Sequence, residues 1–172
     1  MPENKNEYKR PSWDEYFLEV MAAIAKRATC DRGRSGCVIA KDRQILSTGY
    51  VGAPAGLSHC DEVGHLFKDT VHDDGHMSRH CVRTAHAEMN AITNAAKRGI
   101  SIDGSTIYSS MTPCRTCAMA IINAGIKRVM CLRRYHEGAD SEKMFKEAGI
   151  SLDVVEEKIE EYTDTNGSTT AE

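Results

Sequence analysis

Two short motifs, each at the start of a predicted helix, constrain this chain more than any other feature of its sequence. The first is His86-Ala87-Glu88, and the second is Pro113-Cys114-Arg115-Thr116-Cys117. One imidazole and two thiolates supply three ligands of a tetrahedral zinc and leave the fourth position for water, which is the pattern of a catalytic site. Cys114 and Cys117 face the same way on a first helical turn, where the helix dipole favours the metal-binding thiolate. The motifs therefore predict a catalytic zinc with the ligands His86, Cys114 and Cys117.

Glu88 follows the predicted histidine ligand by two residues, close enough to reach a zinc-bound water without binding the metal itself. A carboxylate in that position can take and return protons during hydrolysis. A thioredoxin-like redox pair is the alternative interpretation of Cys114 and Cys117, because an isolated CxxC is more often structural or redox-active. That alternative leaves His86 and Glu88 unexplained, so the two motifs together favour Glu88 as a catalytic residue.

The composition is typical of one globular domain and excludes several classes of protein. The chain has 172 residues, of which 41% are apolar and 27% charged, and its net charge is −3. No stretch approaches a membrane-spanning length of apolar residues, and the polar residues 1–9 lack a secretory signal, so we expect a cytoplasmic protein without membrane association. The acidic balance argues against nucleic acid as the main partner, whereas a small phosphorylated ligand needs only one or two cations.

The order of predicted elements is α-β-β-loop-α-β-α-β-α-β, which favours an α/β fold with a mixed five-stranded sheet and helices on both faces. Ser12 and Glu15 form a predicted capping box at the first helix. We assign residues 1–155 to one domain and 156–172 to an acidic, flexible tail. The predicted strands are 37–40, 45–48, 105–109, 128–132 and 150–155, and the predicted helices are 12–28, 87–98, 113–125 and 141–148.

An insert at residues 51–85 has no convincing periodicity but is rich in cysteine and histidine. A stretch of that length without regular structure is expected to be functional or held by a metal. A closed zinc site would hold it in place of hydrophobic packing. We predict a second, structural zinc with the ligands Cys30, Cys60, His65 and Cys81. The candidate replacements are His59, His76 and His80, and the alternative is a set of solvent-facing histidines and buried thiols.

An H-x-E motif followed by P-C-x-x-C is the signature of zinc nucleobase deaminases. From about Trp13 to Leu152 the chain resembles the cytidine and deoxycytidylate deaminase superfamily, and within it the deoxycytidylate (dCMP) deaminases most. The narrower resemblance is carried by His86-Ala87-Glu88-Met89-Asn90-Ala91-Ile92, Cys30-Asp31-Arg32, Gly49-Tyr50-x-Gly52 and the end of the insert, Cys81-Val82-Arg83-Thr84-Ala85-His86.

This resemblance implies a cytidine-deaminase-like three-layer α/β/α fold and zinc-dependent hydrolysis of dCMP to dUMP, which supplies dTMP synthesis. It implies that Glu88 lies on the zinc side of the pyrimidine and carries every proton transfer. It also implies a second zinc in the insert, a homo-oligomer that is often a hexamer, and control by dCTP and dTTP. Candidate effector-binding residues are Gly49, Tyr50 and Gly52. Relatives commonly have Gly-Tyr-Asn-Gly here, whereas this chain has Val51, and the difference bears on which nucleotide is preferred.

Contacts to the substrate are the least specific part of the prediction. Arg83, in the loop before His86, is the expected phosphate cation, with Ala87, Tyr135 and His136 as further candidate substrate contacts. Deaminases of CMP, dCTP, cytidine and guanine share the zinc motifs and stay as alternatives, as does a non-catalytic, zinc-held nucleotide-binding protein of the same fold. The insert favours dCMP, and the presence of Glu88 favours an enzyme.

Overall fold

A computed structural model describes residues 8–71, 75 and 77–160 of the chain. The helices are α1 (Trp13–Ala25), α2 (Cys60–Val63), α3 (Ala87–Lys97), α4 (Arg115–Asn123) and α5 (Ala139–Glu147), with a 3₁₀ turn at Asp31–Gly33. The strands are β1 (Gly36–Lys41), β2 (Gln44–Tyr50), β3 (Phe67–Val71), β4 (Met77–Cys81), β5 (Thr106–Met111), β6 (Arg128–Tyr135), β7 (Ser151–Val154) and β8 (Ile159–Glu160).

Helix α1 begins at the predicted capping box. The Glu15 amide donates to Ser12 Oγ at 3.2 Å, and the Glu15 carboxylate accepts from the Ser12 amide at 2.6 Å. These two bonds satisfy backbone donors that a helix start leaves without an intrahelical partner. Phe17 and Met21 are buried on the side of α1 that faces the sheet.

The main sheet has the strand order β2-β1-β5-β6-β7. Strand β1 pairs antiparallel with β2 and β5, whereas β5, β6 and β7 run parallel. The prediction of a mixed five-stranded sheet is therefore confirmed. Helices α4 and α5 connect the parallel strands, so the carboxyl ends of β5 and β6 lie at one edge of the sheet, where α/β proteins bind ligands.

Side chains alternate between the two faces of the sheet, as the pleat of a strand requires. One face packs on α1, where Val38, Ala40 and Tyr108 form a buried cluster with Phe17 and Met21. The opposite face packs on α3, α4 and α5. Its buried cluster includes Cys37, Ile39, Ala91, Ile107, Ile121, Val129, Cys131 and Phe145. The predicted helices on both faces of the sheet are thus confirmed.

The insert contains more regular structure than the sequence predicts. Strands β3 and β4 form an antiparallel hairpin, and α2 supplies a single helical turn before it. Every residue of β3 is exposed. Because no face of this strand is buried, its sequence carries no apolar alternation by which to identify it. Residues 72–74 and His76 lie outside the described residues.

The end of the chain also differs from the prediction of a flexible tail from residue 156. Strand β8 pairs with the end of β6, and the Glu156 amide donates to the Leu132 carbonyl at 2.9 Å. Residues 156–160 therefore continue along the sheet, and the remainder of the predicted tail, residues 161–172, lies outside the described residues. No helix in the described ranges is long and apolar enough to span a bilayer.

Candidate active site

Helix α3 places His86 and Glu88 at the edge of the sheet. His86 is the N-cap residue of α3, and Glu88 lies in its first turn. The helix packs very closely on β2, because a Cβ at Gly49 would lie 2.2 Å from the Ala87 carbonyl oxygen. The Asn90 amide side chain donates to the Tyr50 carbonyl at 2.8 Å and fixes the same contact. A glycine in β2 is therefore what allows the helix with the H-x-E motif to approach the sheet.

Helix α4 brings the two motif cysteines to the same place. Cys114 is its N-cap residue and Cys117 lies in its first turn, just beyond the end of β5. The Nδ1 atom of His86 lies 3.4 Å from Cys114 Sγ and 3.5 Å from Cys117 Sγ. A tetrahedral zinc, with its usual bond lengths, holds nitrogen and sulfur ligands about 3.5 Å apart. The spacing and chemistry of these three atoms fit zinc, with a fourth position left over.

The protein alone favours a thiolate in this cluster. Contacts with Cys117 and then with His86 lower the pKa of Cys114 to about 4. The same contact with Cys114 raises the pKa of His86 to about 9. Zinc binds the thiolate form of cysteine and the neutral form of histidine. A thiolate beside a protonated imidazole is therefore ready for zinc, which would replace the imidazole proton.

Glu88 is the buried carboxyl group of the site. Its side chain is 6% exposed, and burial raises its pKa above the ordinary value for a glutamate. It lines the same cavity as His86 and Cys114. A carboxyl group so placed can exchange protons with a molecule bound in the cavity.

The cavity that these residues line is open to solvent on one side. Its wall beyond the H-x-E and cysteine motifs includes Arg32, Ser35, Val51, His80, Thr84 and Tyr135. Arg32 is the one arginine or lysine among the described residues that line it. The cavity is therefore lined by the buried Glu88 carboxyl group, by His86 and Cys114 of the zinc-type cluster (His86, Cys114 and Cys117), and by one permanent cation among the described residues, Arg32.

The structure separates the predicted substrate contacts. Tyr135 lines the cavity, whereas Arg83 turns away and donates from Nε to the Gly64 carbonyl at 2.9 Å. Ala87 is buried in the core beside Gly49. The His136 ring packs on Tyr135 at 4.5 Å and is outside the cavity lining. Arg32 and His80 also line the cavity, but the sequence did not predict either as a substrate contact. Arg32 follows a predicted metal ligand, Cys30, by only two residues.

A second cluster brings together all four residues predicted for a structural zinc. The potential ligand atoms of Cys30, Cys60, His65 and Cys81 lie within 4.8 Å of one another. Cys60 Sγ is 3.6 Å from Cys81 Sγ, and Cys30 Sγ is 3.7 Å from His65 Nδ1. These distances match the edges of about 3.5–3.8 Å in a tetrahedral zinc site with sulfur and nitrogen ligands. The donor set is therefore complete for a closed site.

Further contacts separate this cluster from its neighbouring histidines. The Asp31 carboxylate lies 3.1 Å from His65 Nε2, so it can orient the ring while Nδ1 faces the sulfurs, as carboxylates do for metal-binding histidines. Burial raises the pKa of Cys81, but backbone hydrogen bonds from Arg83 and Leu66 outweigh that effect and lower the pKa to about 7. His59 contacts Thr29 and His80 contacts Ser78 instead. The proposed replacement ligands are thus engaged elsewhere, apart from His76, which lies outside the described residues.

The predicted effector residues hold the active-site loop in place. Gly49 lies under α3, and the Tyr50 carbonyl accepts from Asn90. Gly52 and Ala85 exchange backbone hydrogen bonds of 3.3 and 3.0 Å just before the H-x-E motif. An effector role for this segment stays a prediction, but its backbone is directly connected to the loop that carries His86.

Comparison with known proteins is consistent with this geometry. The profile of the cytidine and deoxycytidylate deaminase zinc-binding region matches residues 11–133. ComE operon protein 2 of Bacillus subtilis is 38% identical over 148 residues, covering 86% of this chain and 74% of that protein. Deoxycytidylate deaminase of Mycobacterium phage D29 is 38% identical over 124 residues, covering 70% of this chain and 94% of that protein.

A solved structure agrees with the fold. The dCMP deaminase of cyanophage S-TIM5, in complex with dCMP and dUMP, superposes with a TM-score of 0.68 at 26% identity. The match covers 86% of this chain and 99% of that one.

Proposed function

The chain belongs to the cytidine and deoxycytidylate deaminase family, and we propose that it hydrolyses dCMP to dUMP and ammonia. The observation that carries this proposal is the buried Glu88 carboxyl group in one cavity with His86 and Cys114. The cyanophage relative, which binds dCMP and dUMP, supports the choice of substrate. The fold, the zinc-type cluster and the carboxyl group together describe a deaminase rather than a redox protein.

In this proposal His86, Cys114 and Cys117 hold the catalytic zinc, and Glu88 carries protons. Zinc bound by these residues would lower the pKa of a coordinated water toward 7. Glu88 accepts a proton from the attacking water and passes it to ring nitrogen N3; it then carries the second proton to the amino group that leaves C4. One water is consumed, and ammonia departs. Burial raises the pKa of Glu88, which suits a group that must both accept and donate.

The nucleotide phosphate is assigned to Arg32. Arg32 lines the cavity, whereas the Arg83 guanidinium ties the loop before His86 to the insert. A guanidinium is permanently charged and donates charge-assisted hydrogen bonds to phosphate oxygens. Val51 is 8% exposed and forms an apolar part of the same wall. We therefore expect weak selection at the sugar position where relatives carry asparagine.

The second cluster is assigned to a structural zinc, which gives two zinc ions per chain. Four protein donors would complete the tetrahedral coordination of a zinc ion and leave no position for water, as in other structural sites. The cluster joins the turn at Asp31–Gly33, the α2 turn and the end of β4. Binding of zinc would thus hold the insert against the catalytic domain where few apolar contacts do so.

We further propose that the protein acts in the cytoplasm as a homo-oligomer, with a hexamer as the expected form and dCTP and dTTP as effectors. The family resemblance supports this, with Gly49, Tyr50 and Gly52 as the segment that would respond to an effector. Light scattering after size-exclusion chromatography, with and without each nucleotide, measures the assembly. A monomer under all conditions would contradict it.

The test of the substrate is ammonia release by zinc-loaded protein from dCMP, CMP, dCTP, deoxycytidine, cytidine, guanine and adenosine. We expect the highest kcat/KM for dCMP. A clear preference for another compound identifies one of the alternative deaminases. Binding of nucleotides without ammonia from any of them would instead identify a nucleotide-binding protein.

The test of the proton carrier is Glu88→Gln. The substitution keeps the size of the buried side chain and removes its ability to take a proton, so we expect kcat to fall by about four orders of magnitude while zinc content is unchanged. Glu147→Gln, at an exposed position near the end of α5, is the matched control and retains activity. A Glu88→Gln enzyme with near wild-type kcat refutes the assignment.

A further inference from the structure

The turn that carries Arg32 is attached to the insert by three consecutive residues. Cys30 Sγ faces His65 Nδ1 at 3.7 Å, and Asp31 Oδ1 lies 3.1 Å from His65 Nε2. The Arg32 guanidinium carbon then lies 5.2 Å from the centre of the Phe67 ring and over its face. Cys30 and Asp31 therefore both contact His65, and Arg32 contacts Phe67, the first residue of β3.

Phe67 is fixed from several sides. Its backbone pairs with Cys81 across the hairpin, and its ring lies 5.1 Å from that of His65. The Arg79 guanidinium also lies over the Phe67 ring at 5.6 Å, and Arg79 is itself held by two hydrogen bonds to Asp69. The ring is nevertheless 39% exposed. An aromatic residue in such a position contributes little to a hydrophobic core, so its contacts with the Arg32 and Arg79 guanidinium groups are its most specific features.

We propose that Phe67 is a positioning residue that holds the Arg32 side chain at the cavity wall, so that the insert sets the affinity for the phosphate of the nucleotide. This inference rests on the proposed function. The Nε and Nη1 atoms of Arg32 are buried, and a flexible arginine loses much rotamer freedom when it is held in one place. The face of an aromatic ring restrains a guanidinium without using the donors that a phosphate needs.

The proposal predicts an effect on binding that depends on the phosphate. Phe67→Leu keeps an apolar side chain but removes the ring, and we expect KM for dCMP to rise about fivefold with kcat unchanged. KM for deoxycytidine, which has no phosphate, stays at its wild-type value. Phe67→Tyr keeps the ring and restores KM for dCMP. Val71→Ala, at a more exposed position of the same strand, is the matched control and changes neither constant.

A mutant cycle with Arg32→Gln tests whether Phe67 acts through Arg32. If it does, Phe67→Leu has no further effect on KM for dCMP once Arg32 is replaced. Additive effects, an equal rise in KM for deoxycytidine, or a Phe67→Tyr enzyme as weak as Phe67→Leu would each overturn the proposal. If the wild-type enzyme fails to deaminate dCMP, the proposed function itself fails. If it deaminates dCMP and Phe67→Leu leaves KM unchanged, only this inference fails.

Discussion

Replacing Gly49 with alanine tests how the sheet holds the catalytic helix. The new Cβ would lie 2.2 Å from the Ala87 carbonyl oxygen and 2.4 Å from the Ala91 amide nitrogen, well inside the 3.0 Å limit of real Cβ contacts. Both neighbours are backbone atoms of α3, so the helix must move by about 1 Å to relieve the overlap. Overpacking of this kind costs about 1–3 kcal/mol, which the reduced entropy of the unfolded chain offsets in small part.

The same displacement moves His86 and Glu88 relative to the cysteines of α4. A misplacement of about 1 Å at reacting groups costs about a hundredfold in rate, so we expect kcat for dCMP to fall about 10- to 100-fold. We expect the free energy of unfolding, measured by urea denaturation, to fall by about 2 kcal/mol.

Gly36→Ala is the matched control for this experiment. A Cβ there would lie 2.5 Å from the Met21 carbonyl oxygen and 2.7 Å from the Ala25 amide nitrogen, both in α1 on the opposite face of the sheet. We expect a similar loss of stability with kcat close to that of the wild type. If Gly49→Ala and Gly36→Ala have kcat values within about twofold of each other, the close approach of α3 to β2 does not position the catalytic groups.

Three further changes test other parts of the molecule. Cys60→Ser should lower the zinc content from about two ions per chain to about one and increase proteolysis in the insert, because a serine hydroxyl does not ionise at neutral pH. Metal analysis measures the content, and an unchanged value would contradict the second site. Cys114→Ser should remove the other zinc and abolish ammonia release, and activity without that zinc would contradict a hydrolytic metal site. Asp14→Asn should lower the free energy of unfolding by about 1 kcal/mol, because the partly exposed carboxylate accepts from Arg128 and Tyr108. Since Arg128 lowers the pKa of Asp14, the loss of unfolding free energy should persist from about pH 8 to about pH 5 and shrink below about pH 4. Urea denaturation at each pH measures it, and a loss independent of pH would contradict the ion pair.

The residues of the zinc-type clusters could be predicted because metal chemistry restricts them strongly. Few side chains bind zinc, and a helix start orients residues three apart in the same direction, so His86, Cys114 and Cys117 could be grouped from short motifs alone. Their meeting in space depends on an α/β sheet whose strands were identified by apolar runs. The five strands and the helices on both faces followed from the same local patterns.

The identity of the cavity's cation was decided by the tertiary structure. Arg83 is close to His86 in the sequence, but its side chain is turned to the Gly64 carbonyl. Arg32 precedes β1 in the sequence, far from His86, and nevertheless lines the cavity. The β3–β4 hairpin was equally hidden, since an exposed strand buries no side chains and carries no periodic signal. Sequence patterns report burial and local geometry, and they do not report which exposed or half-buried side chain turns toward a site. That choice is made by contacts between distant segments, such as that of Phe67 with Arg32.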